Sequence, residues 1–162
     1  MNLIEGVVDA AGEGEEEEED AAEEEGGGSK VGTMKDGEYL LHVLVETGKT
    51  LDLEGEDTVD PMVKVLFMGK ELQTTAKNDI TRSSTVKWDE HLFLEVGEVK
   101  AGDIQEAMIE VQILNKGFFK SDLVGSFAVS AAKIYDRADH VLHNQPLAFT
   151  NPTATNKAKI TG

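Results

Sequence analysis

From residue 38 onward, apolar side chains recur at alternate positions in short runs, and this restricts the fold more than any other feature. Residues 38–46 read Glu-Tyr-Leu-Leu-His-Val-Leu-Val-Glu, with Tyr39, Leu41, Val43 and Val45 on one face. A two-residue period belongs to a half-buried β-strand. Residues 62–68, 71–77, 91–96, 107–114, 123–129 and 144–149 read as further strands. Polar connections with turn residues separate them, as at Gly69-Lys70. Short, evenly spaced strands predict an all-β, antiparallel sandwich. Seven strands read in this way. Residues 130–138 predict one or two helical turns capped by Ser130.

Charge divides the chain in two. Of 32 acidic and 15 basic residues, residues 1–36 hold 13 and 2, a charge of −11, and residues 37–162 hold 19 and 13, a charge of −6. Glu15 to Asp20 is an unbroken acidic run, Glu23 to Glu25 a second, and Gly26-Gly27-Gly28-Ser29 follows. Such a stretch repels itself and has little apolar surface to bury, so residues 1–36 are expected to be largely disordered and 37–162 to form the folded domain. The acidic balance argues against nucleic acid as a partner, because phosphate binding needs a basic surface. It leaves a histone-chaperone-like β protein as a reading of another class, resting on the acidic runs alone.

The chain has no cysteine, which excludes disulfides, thiolate metal sites and a cysteine nucleophile. The opening Met1-Asn2-Leu3-Ile4-Glu5 lacks the basic start and apolar run of a signal peptide. A cytosolic setting is expected, with any membrane contact peripheral. No nucleophile, base and orienting group can be assembled, so no enzyme activity is expected. His140 and His143 are expected at or near the surface, His42 half exposed, and Trp88 in the core.

Acids within the folded part gather in loops. Asp52, Glu54, Glu56, Asp57 and Asp60 lie between the first two strands, and Asp122 between the fifth and sixth. Two loops meeting at one sandwich edge would crowd carboxylates in the way a Ca²⁺ ion requires.

Three segments carry a family resemblance. Asp60-Pro61-Met62-Val63-Lys64-Val65 resembles the Asp-Pro-Tyr-Val-Lys-Val signature of C2 domains. Trp88-Asp89-Glu90-His91-Leu92-Phe93 resembles their Trp-Asn-Glu-x-Phe-x-Phe element, and Asp122-Leu123-Val124-Gly125 their Asp-x-(Leu/Ile)-(Leu/Ile)-Gly element. Leu123-Val124-Gly125-Ser126-Phe127, Ile134-Tyr135-Asp136 and Asn151-Pro152 are similar to the later half of ferlin C2 domains. The resemblance implies one module of a larger, tail-anchored vesicle-fusion protein, docking on phospholipid membrane, on a protein partner or on neighbouring domains. It implies eight strands, the missing one expected from residues 1–8, from 30–36 or from a segment near Lys157, and it favours the C-terminal side.

The resemblance also implies a calcium site, degenerate here. Asp60 matches one first-loop ligand, and Asp52 or Glu54 the other. Of three third-loop acids, the first falls on Asn115, the second on Gly117 and only the last, Asp122, stays acidic. With Asp57 as the remaining candidate, the expectation is no cofactor, or calcium held weakly. A calcium-triggered lipid binder is the alternative. Gly117-Phe118-Phe119-Lys120 matches the membrane-inserting loop tip, and Lys64, Lys70 and Lys77 are candidates for a phosphoinositide face.

Overall fold

The structure, a computed structural model, describes residues 2–10, 33–49, 57–81 and 84–146, with the backbone alone for 2–10 and 144–146. The acidic stretch 11–32, the candidate ligands Asp52 and Glu54, and the segment around Lys157 lie outside the described residues.

Two four-stranded sheets face each other. One has the order β10-β1-β2-β7, formed by β1 (Asn2–Ala10), β2 (Gly37–Gly48), β7 (Val86–Val99) and β10 (Val141–Pro146). The other has the order β5-β4-β8-β9, formed by β4 (Pro61–Phe67), β5 (Lys70–Gln73), β8 (Met108–Lys116) and β9 (Ser121–Ser130). A short ladder joins β3 (Thr58–Val59) to β6 (Ile80–Thr81). Two helices, α1 (Ala101–Glu106) and α2 (Ala131–Tyr135), complete the fold.

The predicted alternation sets which faces meet. Tyr39, Leu41, Val43 and Val45 of β2 are buried against Val63, Val65 and Phe67 of β4 and Ile109, Val111 and Ile113 of β8, within one core cluster. On β7, Val86 and Trp88 are buried, as are Leu92, Leu94 and Val96. The register of β7 slips by one residue near Asp89 and again near Glu98, both of which adopt positive φ. These are β-bulges, which twist a strand and re-aim its ends.

Among the described residues, the eighth strand of the two sheets comes from the N-terminal segment, one of the expected candidates. β1 lies between β2 and β10 and runs parallel to both, with Asn2 opposite Tyr39 and Ala10 opposite Gly48. Every other strand pair is antiparallel. Parallel neighbours need a long crossover, because the chain must return the length of the sheet before pairing again. In the sequence, residues 11–36 and their acidic runs fall between β1 and β2, and the boundary expected at residue 37 separates these two partners.

Three local expectations change. The strand expected over 71–77 ends at Gln73, because the buried Thr74 hydroxyl accepts the Val63 N–H at 3.0 Å. Residues 97–106, read as a connection, contain α1, anchored by the fully buried Ile104. Ser130 stands at the start of α2 but its side chain makes no capping bond. The hairpin turn centres on Met68 and Gly69, both at positive φ, the two-residue type I′ geometry that suits the strand twist.

Candidate functional site

One end of the sandwich carries the β3–β4 junction and the β8–β9 turn, and most of the described candidate residues lie there. Asp60 joins β3 to β4. Its backbone N–H donates to the Asn115 side-chain oxygen at 2.7 Å, and its C=O accepts the Lys116 N–H at 2.9 Å. Its carboxylate accepts the Asp79 N–H at 2.7 Å. Asn115 in turn pairs in register with Asp122 across β8 and β9. Asp60, Asn115 and Asp122 are thus brought to one edge, but Asn115's oxygen and one carboxylate oxygen of Asp60 are engaged in holding loops together. The Asp122 carboxylate lies 3.4 Å from the Lys120 ammonium. Asp57 is exposed at the start of this region. Among the described residues, no three His, Asp or Glu side chains converge as metal ligands.

The β8–β9 turn is built tightly. The Gly117 N–H donates to the Lys120 carbonyl at 3.1 Å, closing a four-residue loop. A Cβ at Gly117 would stand 2.3 Å from that carbonyl oxygen, so only glycine fits without moving the backbone. The loop lifts Phe118 and Phe119 away from the core. They are 93% and 95% exposed and meet each other edge to face, with ring centroids 4.7 Å apart.

Beside this tip runs an open groove of about 630 Å³ on the outer face of the β4–β8 sheet. Met62 and Leu114 form its buried floor, and Lys64, Lys116 and Lys120 stand on its walls. Lys116 was not among the predicted cations. The Gln112, Leu114, Lys116 alternation is its sequence signal, hidden because residues 115–122 read as a loop. Lys70 and Lys77 do not line the groove. Lys64 is 3.3 Å from Glu71, and Lys77 is 3.6 Å from Glu90. The expected basic stripe is therefore partly neutralised, and the cations that share a cavity are Lys64, Lys116 and Lys120.

Glu90 also ties the two sheets together. It accepts the Thr75 N–H at 2.9 Å and the Thr75 hydroxyl. Burial raises its pKa, but the Thr75 bonds and Lys77 together outweigh this and leave it below the usual carboxylate value. His140 stacks on Tyr135 with centroids 4.3 Å apart, and His143 pairs with Asp139 at 3.1 Å.

The sequence model of the C2 domain family matches residues 39–147, and the chain belongs to that family. No curated protein matches the sequence. Among solved structures, the C2-A domain of RIM from Drosophila is similar with a TM-score of 0.46 and 14% identity, covering 59% of this chain and 86% of that one. The C2-A domain of plant extended synaptotagmin 1 is similar with a TM-score of 0.40 and 19% identity, covering 59% and 70%. Human GIVD cytosolic phospholipase A2 is similar with a TM-score of 0.48 and 15% identity. That likeness covers 61% of this chain and 14% of the phospholipase. Among the described residues, no helix is long and apolar enough to cross a membrane.

Proposed function

We propose that this C2 domain is a non-enzymatic docking module that attaches to phospholipid membrane through the Phe118–Phe119 tip, with little dependence on calcium. The carrying observation is the pair of phenylalanines, almost wholly exposed on a turn that only glycine can close. Two aromatic rings held in water need a partner, and the headgroup–acyl boundary takes aromatic rings readily. Lys64, Lys116 and Lys120 lie beside the tip, where anionic headgroups would meet them. Their reach is local, because the whole chain carries −17.

Two features support low calcium dependence. One Asp60 carboxylate oxygen and the Asn115 oxygen already accept backbone N–H groups, and Lys120 places a positive charge beside Asp122. Calcium affinity follows ligand charge count, and this edge has little to spare.

The same reading makes the chain one module of a larger, ferlin-like trafficking protein at the cytosolic face of a membrane. Its support is the run Leu123-Val124-Gly125-Ser126-Phe127 followed by Ile134-Tyr135-Asp136. The test is co-flotation with vesicles of mixed zwitterionic and anionic lipid, in EDTA and in calcium. Equal binding in both, lost in Phe118→Ala/Phe119→Ala, is the expected result. Binding that appears only with calcium would overturn it.

A further inference from the structure

We propose a divalent transition-metal site on the outer face of the other sheet, held by His42 of β2 and His91 of β7, independent of the membrane tip. The His42 Nε2 and His91 Nδ1 atoms face each other at 2.7 Å. The ring centroids are 5.0 Å apart and the planes 17° from parallel, so the imidazoles meet edge to edge with a ring nitrogen of each directed at the other. One proton between two nitrogens accounts for so short a contact. Phe93, the register partner of His42, stacks on the His42 ring at 4.5 Å and 9° and fixes its orientation.

A pair of imidazole nitrogens aimed at one point is half of a metal site. Imidazole suits zinc, copper and nickel, at about 2.0–2.1 Å from each nitrogen for zinc. Two nitrogens on one tetrahedral ion stand about 3.3 Å apart at those bond lengths, somewhat wider than their present 2.7 Å. The adjustment is a pivot of both rings, and it is open to them because His91 is exposed and His42 half exposed. The ion replaces the shared proton, and water completes its shell, since no third His, Asp or Glu of the described residues joins the pair. Two protein ligands make this a weak, exchangeable site and not a structural zinc.

The test is titration of the full chain with zinc chloride while the four histidine side chains are followed by nitrogen-15 NMR. The His42 and His91 ring signals are expected to move together and saturate at one ion per chain. The response should weaken as pH falls, because protons compete for the same nitrogens. In His91→Gln the His42 response should be lost while the backbone spectrum stays folded, and Phe93→Leu should reduce affinity several-fold. Unsaturable shifts at His42 and His91, or a His42 response that survives His91→Gln, would overturn the proposal. So would a response confined to His140 and His143.

Discussion

The two ends of the sandwich use polar chemistry in opposite ways. At the helical end, Asp36 accepts the Ala101 N–H at 2.9 Å and pairs with Lys100 at 2.7 Å, capping α1 from 65 residues away. Tyr39, fully buried, donates its hydroxyl to the Lys35 carbonyl at 2.6 Å and accepts the Lys35 N–H at 3.1 Å. Ile104 fills the space beneath. Tyr39 and Ile104 close the core there, and the exposed Asp36–Lys100 pair secures the start of α1. At the loop end, the polar groups brace a turn whose two largest side chains touch little beyond each other. Phenylalanines pointed at water contribute almost nothing to folding, so on the proposed reading that end serves an encounter, whereas the helical end serves stability.

If that contrast holds, substitutions at the two ends should separate stability from binding. The largest effect belongs to Ile104→Ala, which should cost about 2–5 kcal/mol in denaturant unfolding. Vesicle binding of the folded fraction should be unchanged. Phe118→Ala/Phe119→Ala should leave the melting temperature in place and weaken vesicle binding by about 10- to 100-fold, from loss of partial aromatic burial. Gly117→Ala tests the support of the tip alone. It should weaken binding less than the double substitution while both rings remain.

Smaller effects sharpen the picture. Tyr39→Phe should cost about 1–2 kcal/mol by removing two partly buried hydrogen bonds. An acid titration addresses the braces at both ends. The Lys100 side chain, then the Ala101 N–H, hold the Asp36 carboxyl below its ordinary value. Glu90 is lowered by Thr75 and Lys77 against the opposing effect of burial. A carboxyl whose pKa is lower folded than unfolded stabilises the protein above its unfolded value of about 4 and loses that contribution as pH falls through the folded value. Asp36→Asn and Glu90→Gln should therefore flatten the decline of stability below about pH 4, measured by urea midpoints.

What the sequence made legible was local. The two-residue period placed β2, β4, β7 and β8 and put Tyr39, Leu41, Val43 and Val45 on the one face of β2 that is buried, because a side chain's face follows from parity alone. The C2 resemblance ordered the motifs along the chain. What it hid was set by partners far apart in sequence. The cap of α1 is Asp36, and the helix itself has one apolar anchor, too few for a visible period. Asp60 and Asn115 read as cation ligands, yet their bonds to each other, to Asp79 and to Lys116 depend on how three loops meet. The groove's cations come from separate segments, so no single run announces them. The place of β1 was open for the same reason, since its partners β2 and β10 are chosen by the sheet and not by residues 2–10.

The most direct test of the membrane account is insertion into a lipid monolayer, in EDTA and then in calcium. Insertion reports apolar entry and is little moved by surface charge. The account predicts a rise in surface pressure of equal size in both solutions, abolished by Phe118→Ala/Phe119→Ala and only slightly reduced by Lys64→Gln/Lys116→Gln. A rise that needs calcium, or one that survives loss of both phenylalanines, would contradict it.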